Sequence, residues 1–139
     1  MDPDQQRAQV WSRVFRSRGG ASCGVRLWSD WDAEVCSAVR ARIQPEHGEL
    51  PVVLAYPETS RVTVLTTRRL ICGEHEIPTE DVAWVEAHRE PGIFDKGGIT
   101  GLIVSGGSER VRIGIDEGPA LFGFWNVLLG IARRNKAER

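Results

Sequence analysis

A chain of 139 residues, 41% of them hydrophobic and 27% charged, is about one domain long and apolar enough to bury a core, which excludes a disordered tail. The formal net charge of −1 removes the broad attraction on which sequence-independent nucleic-acid binding depends, so no nucleic-acid partner is expected. Cys23, Cys36 and Cys72 have no paired spacing, the start "MDPDQQ" is acidic, and the longest apolar-rich run (120–132) falls short of the roughly 20 residues a membrane helix needs; a soluble cytoplasmic protein with reduced thiols is predicted.

The first segment, "DPDQQRAQVWSRVFRSRGG", reads as a helix with Asp2 as N-cap, Pro3 in the first turn and Gly19-Gly20 as the stop. Val10, Trp11, Val14 and Phe15 form its apolar stripe, while Arg7, Arg13, Arg16 and Arg18 make the remainder cationic. Such a stripe packs on the domain beside it or lies on a membrane surface. A second helix is expected over "SDWDAEVCSAVRARIQP", with Ser29 and Asp32 spaced as a capping box and Pro45 ending the pattern. Trp31, Val35, Val39 and Ile43 recur every four residues and give it one apolar edge, with Cys36 beside it as a small buried hydrophobe. The stretch from Gln44 to Pro51 then reads as a linker.

From Pro51 the period changes to that of strands. "VVLAY" (52–56), "PETS" and "RVTVLTT" (61–67) predict strand, turn and strand; "RLIC", Gly73 and "HEI" continue the meander. "VAWVEAHRE" (82–90) is the next strand, with Val82, Trp84, Glu86 and His88 on one face. After the loop "PGIFDKGG", "ITGLIVSGG" and "ERVRIGID" form a hairpin around Gly106-Gly107-Ser108. Val111, Ile113 and Ile115 alternate with polar residues and must face a core. Pro119 opens the last helix, whose central stripe is Leu121, Trp125, Leu128 and Ala132. Its apolar arc is about twice the ~100° a surface helix needs. A second body has to cover the excess; the N-terminal helices are the economical candidates, and a homodimer through this helix is the rival.

An antiparallel meander of six or seven short strands followed by a Trp-bearing helix resembles the element order of bacterial pleckstrin-homology-like (PH/GRAM-like) domains. The resemblance is carried by "VTVLTTRRLICGEHEIPTEDVAWVE" and "FWNVLLGIA" and covers about residues 51–134. It implies an α+β fold: a PH-like β-barrel or sandwich closed by the C-terminal helix, with Trp125 against the open barrel end. Two N-terminal helices in an arm (1–47) pack against it, and 135–139 form a basic tail. In such a fold Arg68 and Arg69 begin a strand across a tight corner after Thr66 and Thr67, displayed to solvent or paired with the acids that follow.

The chemistry that can be excluded is larger than the chemistry that can be found. Phosphoinositide-binding PH domains use a basic cup beside the loop joining their first two strands; here that loop is "PETS" with Arg61 alone. Glu74, Glu76, Glu80, Asp81, Glu86, Glu90 and Asp95 would repel anionic lipid. Cys72-Gly-Glu-His75 has ligand-like spacing, but a structural zinc site wants four ligands, so no metal is assigned. His47, His75 and His88 sit in no nucleophile motif, and Gly97-Gly98 and Gly106-Gly107 open no helix, so no catalytic residue and no cofactor is assigned.

The expectation is therefore a non-catalytic module for protein–protein recognition, of which an immunity or inhibitor protein is one form, with a partner that presents a basic surface. Its candidate partner-binding residues are Arg68, Arg69, Glu74, Glu76, Glu80, Asp81, Trp84 and Glu86. An exposed Trp28 or Trp84 would mark the partner surface. Peripheral membrane binding through the arginines of the first helix with Arg68 and Arg69 is the alternative, and a small enzyme is the third reading.

Overall fold

The structure, a computed structural model, describes residues 1–22, 24–56, 62–89, 98–115 and 118–139. Cys23, the turn at 57–60 with Arg61, Glu90, Asp95, Gly97 and Asp116, all invoked above, lie outside the described residues. In chain order the elements are α1 (Pro3–Arg18), β1 (Val25–Leu27), a 3-10 turn (Trp28–Asp30), α2 (Ala33–Ile43), β2 (Pro51–Ala55), β3 (Thr63–Thr66), β4 (Arg69–Cys72) and β5 (His75–Pro78). A second 3-10 turn (Thr79–Asp81), β6 (Val82–Arg89), β7 (Ile99–Gly106), β8 (Glu109–Gly114) and α3 (Pro119–Glu138) complete them.

The fold is α+β, with two antiparallel sheets ordered β1-β2-β3-β4-β5 and β6-β7-β8. Eight strands form among the described residues, and the sheets stay open instead of joining into the expected barrel. The break falls at Pro78, which has no N–H to donate to a ladder, and at the 3-10 turn that follows it. The extra strand is β1, in a stretch to which no element was assigned. It pairs with β2, Val25 opposite Ala55 and Leu27 opposite Val53.

The main core lies between the sheets and under α3. Phe15, Leu27, Leu65, Leu70, Ile77, Leu102, Ile113, Leu121, Phe124 and Leu128 are its largest fully buried members. A second core forms on the outward face of the five-stranded sheet, where Val39 and Ile43 of α2 pack on Leu54 and Val64 with Trp28, Trp31, Val35, Val62 and Ile71. This explains the unalternating "VVLA" of β2: Val53 enters one core and its neighbour Leu54 the other, so every residue from Val52 to Ala55 is buried.

The two N-terminal helices therefore go to different places. The edge predicted for α2 is the one it uses. Its cap differs: Asp32, not Ser29, is the N-cap, accepting from the Val35 N–H at 2.8 Å, because Ser29 is taken up in the 3-10 turn. The cap predicted for α1 is as expected, with Asp2 accepting from the Gln5 N–H at 2.8 Å and Gln5 accepting in return from Asp2.

α1 covers part of the apolar arc of α3. Phe15 is buried, and a Cβ on Gly123 would lie 2.8 Å from the Phe15 carbonyl, so the helices cross nearly backbone to backbone there. The buried stripe of α3 runs through Ala120, Leu121, Phe124, Val127, Leu128 and Ile131. Trp125, expected as the plug, is rotated to the flank, half-buried and stacked on Phe122 with ring centroids 6.4 Å apart; Phe124 fills the core in its place.

Candidate functional site

The corner between β3 and β4 is built by its two threonines. The Thr66 hydroxyl accepts from the Arg68 and Arg69 N–H groups at 3.1 and 3.0 Å, which fixes the turn, and donates to the Glu49 carboxylate. The Thr67 hydroxyl accepts from the Leu50 N–H at 3.1 Å and donates to Asp4 at 2.6 Å. Both side chains therefore tie the corner to segments far away in sequence.

The arginines do the same with charge. Arg68 grips Asp4 with two parallel bonds, Nε to Oδ1 at 3.2 Å and Nη2 to Oδ2 at 3.0 Å, and also reaches Glu46 at 3.4 Å and the His47 carbonyl at 2.9 Å. Arg69 grips Glu49 through Nε at 2.9 Å and Nη2 at 3.2 Å, and meets Glu76 at 3.1 Å. The same Nη2 donates to the carbonyls of Ile43 and Gln44 at 2.7 and 3.3 Å, closing the C-terminal end of α2. Burial pushes the Glu49 carboxyl upward, but the Arg69 and Thr66 hydrogen bonds outweigh it and hold the group below its ordinary value. Arg68 and Thr67 lower Asp4 in the same way.

The two cations are thus paired within the chain, Arg69 more deeply than Arg68, whose side chain keeps 36% of its surface in solvent. They join α1, the linker after α2, and β5 into one junction. Of the acids that follow them only Glu76 takes part; Asp4, Glu46 and Glu49 were not foreseen, because no pattern in one sequence relates a carboxylate to an arginine 20 or 64 positions away.

The remaining candidate residues divide between two places. Glu74 is exposed in the β4–β5 turn. Glu80 and Asp81 are exposed at the head of β6, where among the described residues neither has an ion pair. Trp84 and Glu86 follow on the outward face of the three-stranded sheet. Trp84 is 55% exposed, an unusual position for so large an apolar surface. A register shift between Val82 and Trp84 explains it: the bulge sends Val82 inward and Trp84 outward, so the four-residue face expected from strict alternation begins only at Trp84. Across the sheet, Trp84 is opposite Ser105, which is opposite Arg110; Glu86 is opposite Ile103, then Arg112. Arg110 reaches diagonally to Glu86 at 3.2 Å.

No protein-family model matches this chain, and no curated protein or solved structure is detectably similar to it. The site must be judged on its own chemistry.

Cys72, opposite His75 across the hairpin, is buried with its Sγ 3.5 Å from the Thr63 hydroxyl and 3.4 Å from the Arg112 carbonyl, while His75 is exposed, 4.0 Å from Glu109. Among the described residues no three His, Cys, Asp or Glu side chains gather as metal ligands. Trp28 and Trp31 are partly covered: Arg40 lies 5.6 Å from the Trp28 ring centroid and Arg26 4.4 Å from that of Trp31, whose indole donates to the Leu54 carbonyl at 3.1 Å. Their aromatic faces are occupied from within. No described helix is long and apolar enough to cross a membrane. One further cleft, of about 570 Å³, opens between α1 and α3, with Trp11, Val14, Val127 and Ile131 along its floor and Arg68 and Glu80 at its rim.

Proposed function

We propose that this chain is a non-catalytic, PH-like recognition module that takes a basic protein segment on the face around Trp84. The order of layers supports the PH-like reading: β2 to β5 make a four-stranded meander, β6 to β8 a three-stranded one, and a helix follows that packs on the core between them. The observation that carries the functional reading is the exposed Trp84 beside Glu86, with Glu80 and Asp81 one turn before it. An indole face attracts a guanidinium or ammonium group, and Glu80 and Asp81 add charge selection at its margin, Glu86 being already paired with Arg110. Arg68 and Arg69, which a lipid-binding reading would need at the surface, are already held by Asp4, Glu46, Glu49 and Glu76.

Affinity capture from extract of the native host, with the wild-type chain and Trp84→Ala side by side, tests this. The reading predicts a basic protein recovered by the wild type and lost with Trp84→Ala, in a salt-sensitive manner. Equal recovery by both chains would overturn it, as would salt-sensitive cosedimentation with anionic vesicles that Trp84→Ala leaves unchanged.

A further inference from the structure

α1 is held in two different ways along its length. Its C-terminal half is packed: Phe15 is 1% exposed, Trp11 and Val14 lean on the main core, and Gly19 lies so close to Pro119 and Gly123 that a Cβ there would strike the Pro119 carbonyl. Its first half is not. From Pro3 to Val10 every residue is exposed except Asp4 and Ala8, and Val10 leaves 49% of its surface in solvent above the α1–α3 cleft.

What holds this half down is almost wholly polar. Asp4 takes two bonds from Arg68 and one from Thr67, and Arg7 donates to the Thr67 carbonyl at 3.3 Å. All of these end on the corner between β3 and β4. The cleft beneath carries an apolar floor, Val127 and Ile131 of α3 being buried there.

We propose that α1 is a hinged cover over α3: the Phe15–Gly19 end is the fixed pivot, and the Asp4 grip on Arg68 and Thr67 is the catch that keeps the first two turns closed. Breaking the catch frees those turns without opening the core, because among the described residues Ala8 is the one hydrophobic side chain of these turns packed on the main core. The released turns are then the unsupported end of a helix, exposed on nearly every side and held by their own backbone bonds alone, so they fray and exchange their amide hydrogens quickly.

Amide hydrogen exchange of the full chain, read residue by residue, tests the device with Asp4→Asn and, independently, Arg68→Gln. Each variant is expected to speed exchange at least tenfold over residues 7–11 and to bring it close to that of an unstructured chain, while β3, β7 and the Phe15–Gly19 end remain strongly protected, losing only the global stability that the grip contributes. Unchanged protection over residues 7–11 in both variants would overturn the proposal, since the turns would then be held by something else. Loss of protection over β3 and β7 down to the level reached over residues 7–11, up to failure to fold in both variants, would overturn it equally, since the contact would then be a general support of the fold and not a catch.

Discussion

Arg69 and Glu49 grip each other from unequal surroundings: the arginine side chain keeps 18% of its surface in solvent and the carboxylate none. Removing one partner therefore does not equal removing the other. Arg69→Met strands a buried carboxylate and should cost about 3–5 kcal/mol, whereas Glu49→Gln leaves a cation that still meets water, Glu76 and two carbonyls and should cost about 1–2 kcal/mol. Equilibrium denaturation of the two variants reads the difference; equal costs would mean that the pair is not the buried anchor described. Acid tests the same junction. Asp4 and Glu49 both have depressed folded-state values, so each binds fewer protons folded than unfolded. Their contribution is complete above the ordinary carboxylate range, about 4, and is lost as pH falls through the folded values. The denaturation midpoint should accordingly stay level from neutral pH to about 5 and drop below about 4. The Asp4→Asn, Glu49→Gln double variant should show a shallower drop; parallel acid limbs would contradict the assignment.

The elements show where a single sequence is legible and where it stops. Local signals read well: the Asp2 N-cap of α1, the four-residue period that gives α2 its buried edge, and the Gly106-Gly107 hairpin all depend on neighbours within a few positions. Signals that depend on the rest of the fold did not. β1 has three residues and no visible period, and forms because β2 offers it an edge. Trp84 turns outward because of a bulge, and Trp125 yields the core to Phe124 because the arc of α3 is so wide that its centre cannot be read from spacing. The arginine corner was visible as a motif, but its partners were not. The crossing of α1 and α3 gives the corresponding prediction. At Gly123 a side chain meets the Phe15 carbonyl and ring, at 2.8 and 3.1 Å, whereas at Gly130 nothing lies within 4 Å. Gly123→Val should therefore cost about 1–3 kcal/mol by forcing the helices apart, and Gly130→Ala should add about 0.5–1 kcal/mol through helix propensity alone. Thermal melts that ranked the two alike would contradict the close crossing.

At the scale of the whole molecule, one five-stranded sheet serves two cores, and this is what integrates the N-terminal third with the rest. α2 closes the outward face, α1 rests on α3, and the arginine corner joins both helical segments to the meander. These faces are consumed in building the fold. The outward face of the three-stranded sheet is different: it bears a large exposed aromatic ring that the packing of this chain leaves in solvent. In the proposed function that ring is the anchor for a basic segment, and an anchor of this kind contributes about 2 kcal/mol or more to binding. The most direct measurement is the dissociation constant of the captured partner for wild type and for Trp84→Ala, with the denaturation midpoint of each chain determined alongside. The account predicts binding weaker by about 30-fold or more with an unchanged midpoint; affinities within twofold of each other would contradict it.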